Sequence, residues 1–132
     1  MRNGHRAGLI IIVDDDAAVR RSLTLLLAAY DWDAVSFSSA HDLLASGLPR
    51  DRRLCLVVDQ QMPGMTGLDL LAALRSAGHR QPAILVTGLV DGRRRIEQAA
   101  REIPGTVFLH KPIDADQFVH CVQRCIDAAI VD

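Results

Sequence analysis

The 132-residue sequence predicts an α/β fold of the doubly wound class, in which a five-stranded parallel sheet is covered by helices on both faces. Two observations support this prediction. Five short apolar runs alternate with five stretches whose apolar residues recur at helical spacing. Three of the runs are almost continuously apolar, which is typical of strands buried on both faces. Because no linker or repeat interrupts the pattern, we expect one domain over residues 1–132, with its ordered core at about 8–129.

The expected strands follow the apolar runs in order. The run at 9–13 is short and rich in β-branched residues, and the runs at 54–58 and 82–86 are equally continuous. The run at 34–37 is weaker and suits an edge strand, and the last run covers 106–109. Since helices connect the strands by right-handed crossovers, all five strands are expected to point the same way.

Helices are expected between these strands. The first begins near Ala17 after Asp16, a favourable N-cap residue, and a short second helix follows the cap Ser39. Three further helices are expected at about 68–75, 91–102 and 114–129. The second helix holds Leu43 and Leu44. The predicted apolar faces of the other helices are Leu23, Leu26, Leu27 and Tyr30 in the first, Ile96, Ala99, Ala100 and Ile103 in the fourth, and Phe118, Cys121, Val122, Cys125 and Ala129 in the fifth. The thin face of the fourth helix predicts that it is only lightly docked.

The composition argues against several classes of protein. Fifteen basic and sixteen acidic residues give a net charge of −1, which offers no electrostatic footprint for nucleic acid or an anionic membrane. No apolar run approaches the roughly 20 residues of a membrane span. The three cysteines suit reduced thiols, so we expect a cytoplasmic protein. We interpret Cys121 and Cys125 as core residues rather than metal ligands, and the arginines at 93–95 as a solvated face.

Polar residues come at the end of four of the apolar runs, namely Asp14 and Asp15, Asp59, Thr87 and Lys111. Parallel strands end at one edge of the sheet, where open α/β folds hold their ligands, so these side chains are expected to meet. Three carboxylates repel one another unless a hard cation binds them, and Mg²⁺ takes such ligands together with phosphoryl oxygens. A hydroxyl and an ammonium could hold the other phosphoryl oxygens, which leaves Asp59 as nucleophile. A cis bond before Pro112 would aim Lys111 inward.

The motifs around these residues strongly resemble those of the receiver domain of two-component response regulators. They read Ile12-Val13-Asp14-Asp15-Asp16, Val58-Asp59-Gln60-Gln61-Met62-Pro63-Gly64-Met65-Thr66-Gly67, Val86-Thr87-Gly88 and His110-Lys111-Pro112. They occur in that order over nearly the whole chain. The resemblance implies a flavodoxin-like sheet with strand order 2-1-3-4-5, and a phosphorylation switch in which Asp59 is the phosphoacceptor.

The resemblance also implies roles for the other residues of the site. The residues concerned are Asp14, Asp15, Asp59 and the Gln61 backbone carbonyl for Mg²⁺ or Mn²⁺, Gln61, Thr87, Gly88 and Lys111 for the phosphoryl group, and Thr87 with Phe108 for the switch. Asp14 is expected to act on the metal through water. Phosphorylation is expected to alter the face formed by the fourth helix, the fifth strand and the fifth helix.

Partners follow from the same resemblance. A histidine kinase or a histidine phosphotransfer protein would donate the phosphoryl group, and a downstream protein or an output domain would respond to it. The chain is similar to receivers that precede a helix-turn-helix output domain, although it is not expected to contact nucleic acid or membrane itself. It could form a phosphorylation-dependent dimer. We expect the chain to catalyse only its own phosphotransfer and dephosphorylation, and not to act as an enzyme on other substrates.

Two alternatives stay open. One is a small phosphatase of the aspartate-nucleophile type, but its D-x-D-x-T pattern would require threonine where Ala18 follows the first strand. The other is a receiver-like binding module without phosphoryl turnover. This alternative is disfavoured, because every position that the receiver chemistry needs carries a residue of the required type. The chain also departs from the usual receiver pattern, since Phe108 replaces the commoner tyrosine. Gln61, two residues after Asp59, is expected either to position or to block a hydrolytic water.

Overall fold

The computed structural model describes residues 8–129, and within that range five strands alternate with five helices, as predicted. The strands are β1 (Leu9–Val13), β2 (Asp33–Phe37), β3 (Leu54–Asp59), β4 (Ala83–Thr87) and β5 (Thr106–His110). The helices are α1 (Ala17–Ala29), α2 (Ala40–Ser46), α3 (Gly67–Ser76), α4 (Arg93–Arg101) and α5 (Ala115–Ala128).

The five strands are parallel and stand in the order β2-β1-β3-β4-β5, which confirms the doubly wound class and the strand order. Every residue of β1, β3 and β4 is buried, which explains why these runs are continuously apolar. The weaker run of β2 lies at an edge, as expected. The register aligns the carboxyl ends of the strands, with Asp59 paired to Val86 and Thr87 to His110.

Successive strand residues face two separate apolar layers. Leu56 and its alternate neighbours pack on one face of the sheet with apolar residues of α2, α3 and α4. Cys55 and Val57 face the opposite layer, which α1 and α5 cover and in which Phe118 is fully buried. Each helix therefore buries one stripe against the sheet, and the polar strand ends are left at the rim.

Side chains cap the N-termini of four of the five helices. The capping residues are Asp16 for α1, Ser39 for α2, Thr66 for α3 and Asp114 for α5. This confirms the expected caps Asp16 and Ser39. At α3 the cap is reciprocal, because Thr66 Oγ1 accepts from the Asp69 N–H while the Asp69 carboxylate accepts from the Thr66 N–H.

The fourth helix is shorter than predicted. It begins at Arg93 rather than at 91, because Asp91 and Gly92 form a turn in which Gly92 adopts φ +80°. No side chain caps this helix, and Ala100 is its one fully buried residue. The expectation of a lightly docked helix is thus confirmed.

One predicted apolar position is wrong, because Tyr30 caps the C-terminus of α1 and is 37% exposed. The short second helix holds Leu43 and Leu44 as expected, with Leu43 buried and Leu44 38% exposed. Trp32, in the connection between α1 and β2, is buried in the layer formed by α1 and α5. Asp31 precedes it with φ +67°, and this backbone reversal returns the chain to the sheet so that the indole packs inward.

We predict that Gly67→Ala lowers the free energy of unfolding by about 1–3 kcal/mol, because it overpacks the start of α3. A Cβ at this position would lie 2.7 Å from the Asp59 backbone oxygen and 2.7 Å from Leu85 Cδ1. Urea unfolding of the two proteins measures the difference. Ser76→Ala, at the exposed end of the same helix, is the control and should stay within about 0.5 kcal/mol of the parent. Equal stability of Gly67→Ala and the parent would contradict the close packing of this turn.

Candidate functional site

The carboxyl ends of β1 and β3 bring three acidic residues together. One carboxylate oxygen from each of Asp14, Asp15 and Asp59 lies within 4.8 Å of the other two. Asp59 is the last residue of β3, and Asp14 and Asp15 follow β1 directly, so the parallel register alone accounts for the meeting. The predicted convergence of these carboxylates is found in the structure.

Of the three acids, Asp59 has the carboxyl group whose pKa is most strongly perturbed. It is only 5% exposed, and its Oδ1 has no hydrogen-bond partner among the residues that the structure describes. The Lys111 ammonium lies 3.3 Å from this oxygen and forms an ion pair with it. Burial raises the pKa of Asp59 to about 6, and the nearby Asp14 adds to this effect, while Lys111 partly opposes it.

Asp14 is held firmly beside it. Its Oδ1 accepts from the Asp16 N–H at 2.9 Å, and its backbone oxygen accepts from Arg20 at 2.7 Å. Its Oδ2 lies 3.9 Å from Lys111 Nζ. Burial raises the pKa of Asp14 despite the Asp16 N–H and Lys111, which both favour the carboxylate. Asp15 is exposed and faces the rim of the cluster.

The donor set suits a hard divalent cation. Three carboxylates meet one ammonium, so the cluster carries an excess of negative charge, and one of its buried oxygens lacks a hydrogen bond. An all-oxygen set with few protein ligands matches the preference of Mg²⁺, which keeps several waters. The described residues contain this one group of at least three clustered histidine, cysteine or acidic side chains.

Thr87 ends β4 on the other side of Asp59, and its side chain is fully buried. Its hydroxyl donates to Gln61 Oε1 at 2.9 Å, and the Gly88 N–H donates to the same oxygen at 3.3 Å. The Leu89 N–H in turn donates to Thr87 Oγ1 at 3.1 Å. The sequence placed Gln61 at this site, but it did not predict that its side chain would cover Thr87 and Gly88.

Lys111 reaches the cluster from the residue after β5. Its backbone N–H donates to the Thr87 carbonyl at 2.8 Å, which continues the strand pairing past His110. The bond between Lys111 and Pro112 is cis, as expected. The ammonium therefore enters from the side of β5, while Gln61 enters from the loop after β3.

Phe108 lies on β5 opposite Leu85, two residues before the pair formed by Thr87 and His110. Its side chain is half buried against the layer that includes α4. His110 contacts the segment between β4 and α4, because its Nε2 lies 3.0 Å from the Leu89 backbone oxygen. β5 is thus linked both to the end of β4 and to the segment that leads into α4.

Gln60 was missed by reasoning from sequence. It is 6% exposed, and its Oε1 accepts from the Leu68 N–H at 2.8 Å at the start of α3. Its backbone N–H donates to Val86, and its carbonyl accepts from Gly67. A glutamine placed between a buried strand end and a Pro-Gly turn was the available signal, since such a side chain requires a polar partner.

The cysteines behave as core residues. Cys55 lies within β3 and is fully buried, and the hydrogen bond that its thiol donates to Cys125, together with burial, raises its pKa well above the ordinary thiol value. Cys125 is buried in the same layer, and Cys121 packs beside it. The interpretation as an apolar stripe agrees with this placement.

Comparison with known proteins identifies the class. The family model described as the response regulator receiver domain matches residues 10–123. The chain belongs to this family, whose members act as signalling domains of two-component systems and receive phosphate from histidine kinases. Nothing in the comparisons supports the alternative of a phosphatase.

Named relatives agree with this assignment. The chain is 37% identical over 115 residues to the transcriptional regulatory protein FixJ of Azorhizobium caulinodans, covering 87% of this chain and 53% of that protein. It is 31% identical to the DNA-binding transcriptional regulator NtrC of Salmonella typhimurium, covering 90% of this chain and 25% of that protein. The chain therefore spans about half the length of the first relative, or less in the case of NtrC.

Solved structures match over most of the chain. The crystal structure of FixJ-N superposes with a TM-score of 0.84 at 28% identity, covering 95% of this chain and 98% of that one. Full-length FixJ from B. japonicum gives a TM-score of 0.79 at 29% identity, covering 93% and 59%. In the part of the chain that the structure describes, no helix is long and apolar enough to span a bilayer.

We predict that Asp59→Asn stabilises the metal-free protein at neutral pH. The neutral Asp59 carboxyl contributes stability that is complete below its ordinary pKa of 3.8 and is lost as the pH rises through about 6. A shift of this size corresponds to about 3 kcal/mol, which the amide variant should recover at about pH 8 but not at about pH 4.

Urea unfolding in the presence of a chelator measures this difference. Asp51→Asn, on the exposed loop before β3, is the matched control and should show no such pH dependence. A gain of stability in Asp59→Asn that is equal at both pH values would show that desolvation of the carboxylate is not its cause.

Proposed function

We propose that Asp59 accepts a phosphoryl group from a histidine kinase or a histidine phosphotransfer protein in a Mg²⁺-dependent reaction. The observation that carries this proposal is the buried Asp59 Oδ1, which has no hydrogen bond within the described residues yet lies 3.3 Å from the Lys111 ammonium. A carboxylate left in this state at the rim of a sheet is costly for packing and suited to nucleophilic attack.

In the proposed reaction, a carboxylate oxygen of Asp59 attacks the phosphorus atom while the bond from phosphorus to the donor imidazole nitrogen breaks. The product is an acyl phosphate on Asp59 and a free imidazole on the donor. Lys111 is close enough to balance negative charge on the phosphoryl oxygens, and Thr87 and Gly88 supply an O–H and an N–H for them. Bound Mg²⁺, or Mn²⁺ in its place, would offset the charge of the carboxylates and the incoming phosphoryl group.

The metal ligands proposed are Asp15, Asp59 and the Gln61 backbone carbonyl, with Asp14 acting through water. The clustering of the three carboxylates within 4.8 Å supports this set. The same residues would catalyse dephosphorylation by water, so the domain would turn over its own phosphoryl group and no other substrate.

We propose that the phosphoryl group shifts the population of two states of the face formed by α4, β5 and α5. Thr87 would move toward the phosphoryl group, and Phe108 would occupy the space released beside it. Two contacts support this coupling, namely the packing of Phe108 in the layer of α4 and the link from His110 to Leu89. α4 is the element best able to respond, because it has no side-chain cap and one fully buried residue.

The response would pass to an output domain or a downstream protein. The relatives of known name are transcriptional regulators that are longer than this chain, so we propose a place for the receiver within a DNA-binding regulator. Phosphorylation-dependent dimerisation is part of this proposal.

We predict that incubation with acetyl phosphate and Mg²⁺ adds the mass of one phosphoryl group to the intact protein, because Asp59 is a poised nucleophile. Asp59→Asn and a chelator should each abolish the adduct, whereas Asp51→Asn should retain it. Intact-mass spectrometry checks all four samples. An adduct that persists on Asp59→Asn, or its absence from a folded parent protein, would overturn the proposal.

A second prediction concerns α4. Phosphorylated protein should show a change in amide hydrogen exchange in α4 that exceeds the change in α3, because α3 has a capping box and four buried residues. Hydrogen exchange with mass detection, in matched samples with and without acetyl phosphate, measures both helices at once. Identical exchange in α4 under both conditions would contradict the proposed output face.

A further inference from the structure

We infer that the Gln61 carboxamide oxygen occupies, in the resting protein, the place that a phosphoryl oxygen takes after modification of Asp59. Gln61 would then be a tethered competitor that sets how readily the site accepts an anion. The inference rests on the proposed function, because it concerns the donors assigned to the phosphoryl group.

The contacts of one oxygen atom carry this inference. Gln61 Oε1 accepts from the Thr87 hydroxyl at 2.9 Å and from the Gly88 N–H at 3.3 Å. These are the two donors that the proposed function assigns to the phosphoryl group. Because a backbone N–H can only donate, its contact also fixes the carboxamide with its oxygen, rather than its nitrogen, toward β4.

Gln61 and a phosphoryl oxygen compete for the same two protons. A threonine hydroxyl has one proton, and here that proton is given to Gln61 while the Leu89 N–H occupies a lone pair of the same hydroxyl at 3.1 Å. Gly88 likewise has one N–H. A phosphoryl oxygen can therefore receive these hydrogen bonds only after Gln61 has released them.

The position of Gly88 places this acceptor close to the chemistry. A Cβ added to Gly88 would lie 3.6 Å from Lys111 Cδ, and the Lys111 ammonium is 3.3 Å from Asp59 Oδ1. The same small region thus contains the lysine side chain, the nucleophile and the two donors. Gln61 itself is exposed, so its side chain can exchange its two contacts for water when an anion arrives.

Gln60 holds the competitor in place. It is anchored by its N–H to Val86 at 2.8 Å and by its Oε1 to the Leu68 N–H at 2.8 Å, and its carbonyl accepts from Gly67 at 3.2 Å. The backbone next to Gln61 is therefore fixed at both strand and helix. This reduces the conformational entropy that the Gln61 side chain loses on contacting Thr87.

The first test measures the affinity of the Mg²⁺-loaded protein for beryllium trifluoride, an anion that resembles a phosphoryl group on a carboxylate. Gln61→Met keeps the length of the side chain but removes the acceptor, so it should bind the anion roughly 3- to 30-fold more tightly. Gln61→Glu keeps the acceptor and adds a negative charge, so it should bind more weakly than the parent. Gln117→Met, at the exposed start of α5, should leave the affinity unchanged.

The second test examines the contact without any anion. Amide exchange of Gly88, followed by NMR, should be slower in the parent than in Gln61→Met, because the N–H loses its acceptor in the variant. Exchange that is equally fast in both proteins would overturn the inference.

The two proposals fail in different ways. Binding that requires Asp59 but is equal or weaker in Gln61→Met would overturn the role of Gln61 and leave the phosphoacceptor intact. Beryllium trifluoride binding that is absent, or that persists in Asp59→Asn, would overturn the phosphoacceptor and with it this inference.

Discussion

The burial of one carboxylate, that of Asp59, is the constraint on which the site depends. A charge at the end of a central strand loses its water, and the resulting cost is visible in a pKa of about 6. Lys111 compensates only in part, since Asp14 brings a second buried carboxylate against the same ammonium. The site therefore holds more negative charge than its own residues neutralise. That imbalance favours the binding of a cation, whereas a balanced ion pair would not attract one.

The sheet fixes the relative positions of the charged groups in the site. Val13 pairs with Val58 and Asp59 with Val86, so the acids and Thr87 arise from neighbouring strands whose relative heights are fixed by backbone hydrogen bonds. The loop after β3 is equally constrained, because Gly67 packs against the Asp59 carbonyl too closely for any side chain. A rigid frame of this kind preorganises the groups before a ligand arrives, so the proposed reaction would require little rearrangement of the acids.

The parts of the molecule that sequence predicts are those set by periodicity and by strand ends. Apolar runs at 9–13 and 54–58 define buried strands, and parallel ends meet at one edge whatever the loops do, so the meeting of Asp14 and Asp59 follows. The contacts of Gln60 and Gln61 could not be predicted, because they depend on the path of a loop that returns to β4. The exposure of Tyr30 was also missed, because α1 ends at Ala29, whereas the apolar spacing predicts that the helix includes Tyr30.

A conformational switch requires one element that can change its packing while the neighbouring elements stay in place. α1, α3 and α5 are capped by side chains and bury two, four and four residues, whereas α4 follows Gly92 without such a cap and buries Ala100 alone. The links from β5 to the segment before α4 end at this weakly held helix. In the proposed switch, free energy released when Thr87 exchanges partners would therefore change the packing of α4 first, because moving a well-packed helix costs several kilocalories per mole of lost contacts. The uneven anchoring of the helices would thus direct the effect of a change at Asp59 toward α4.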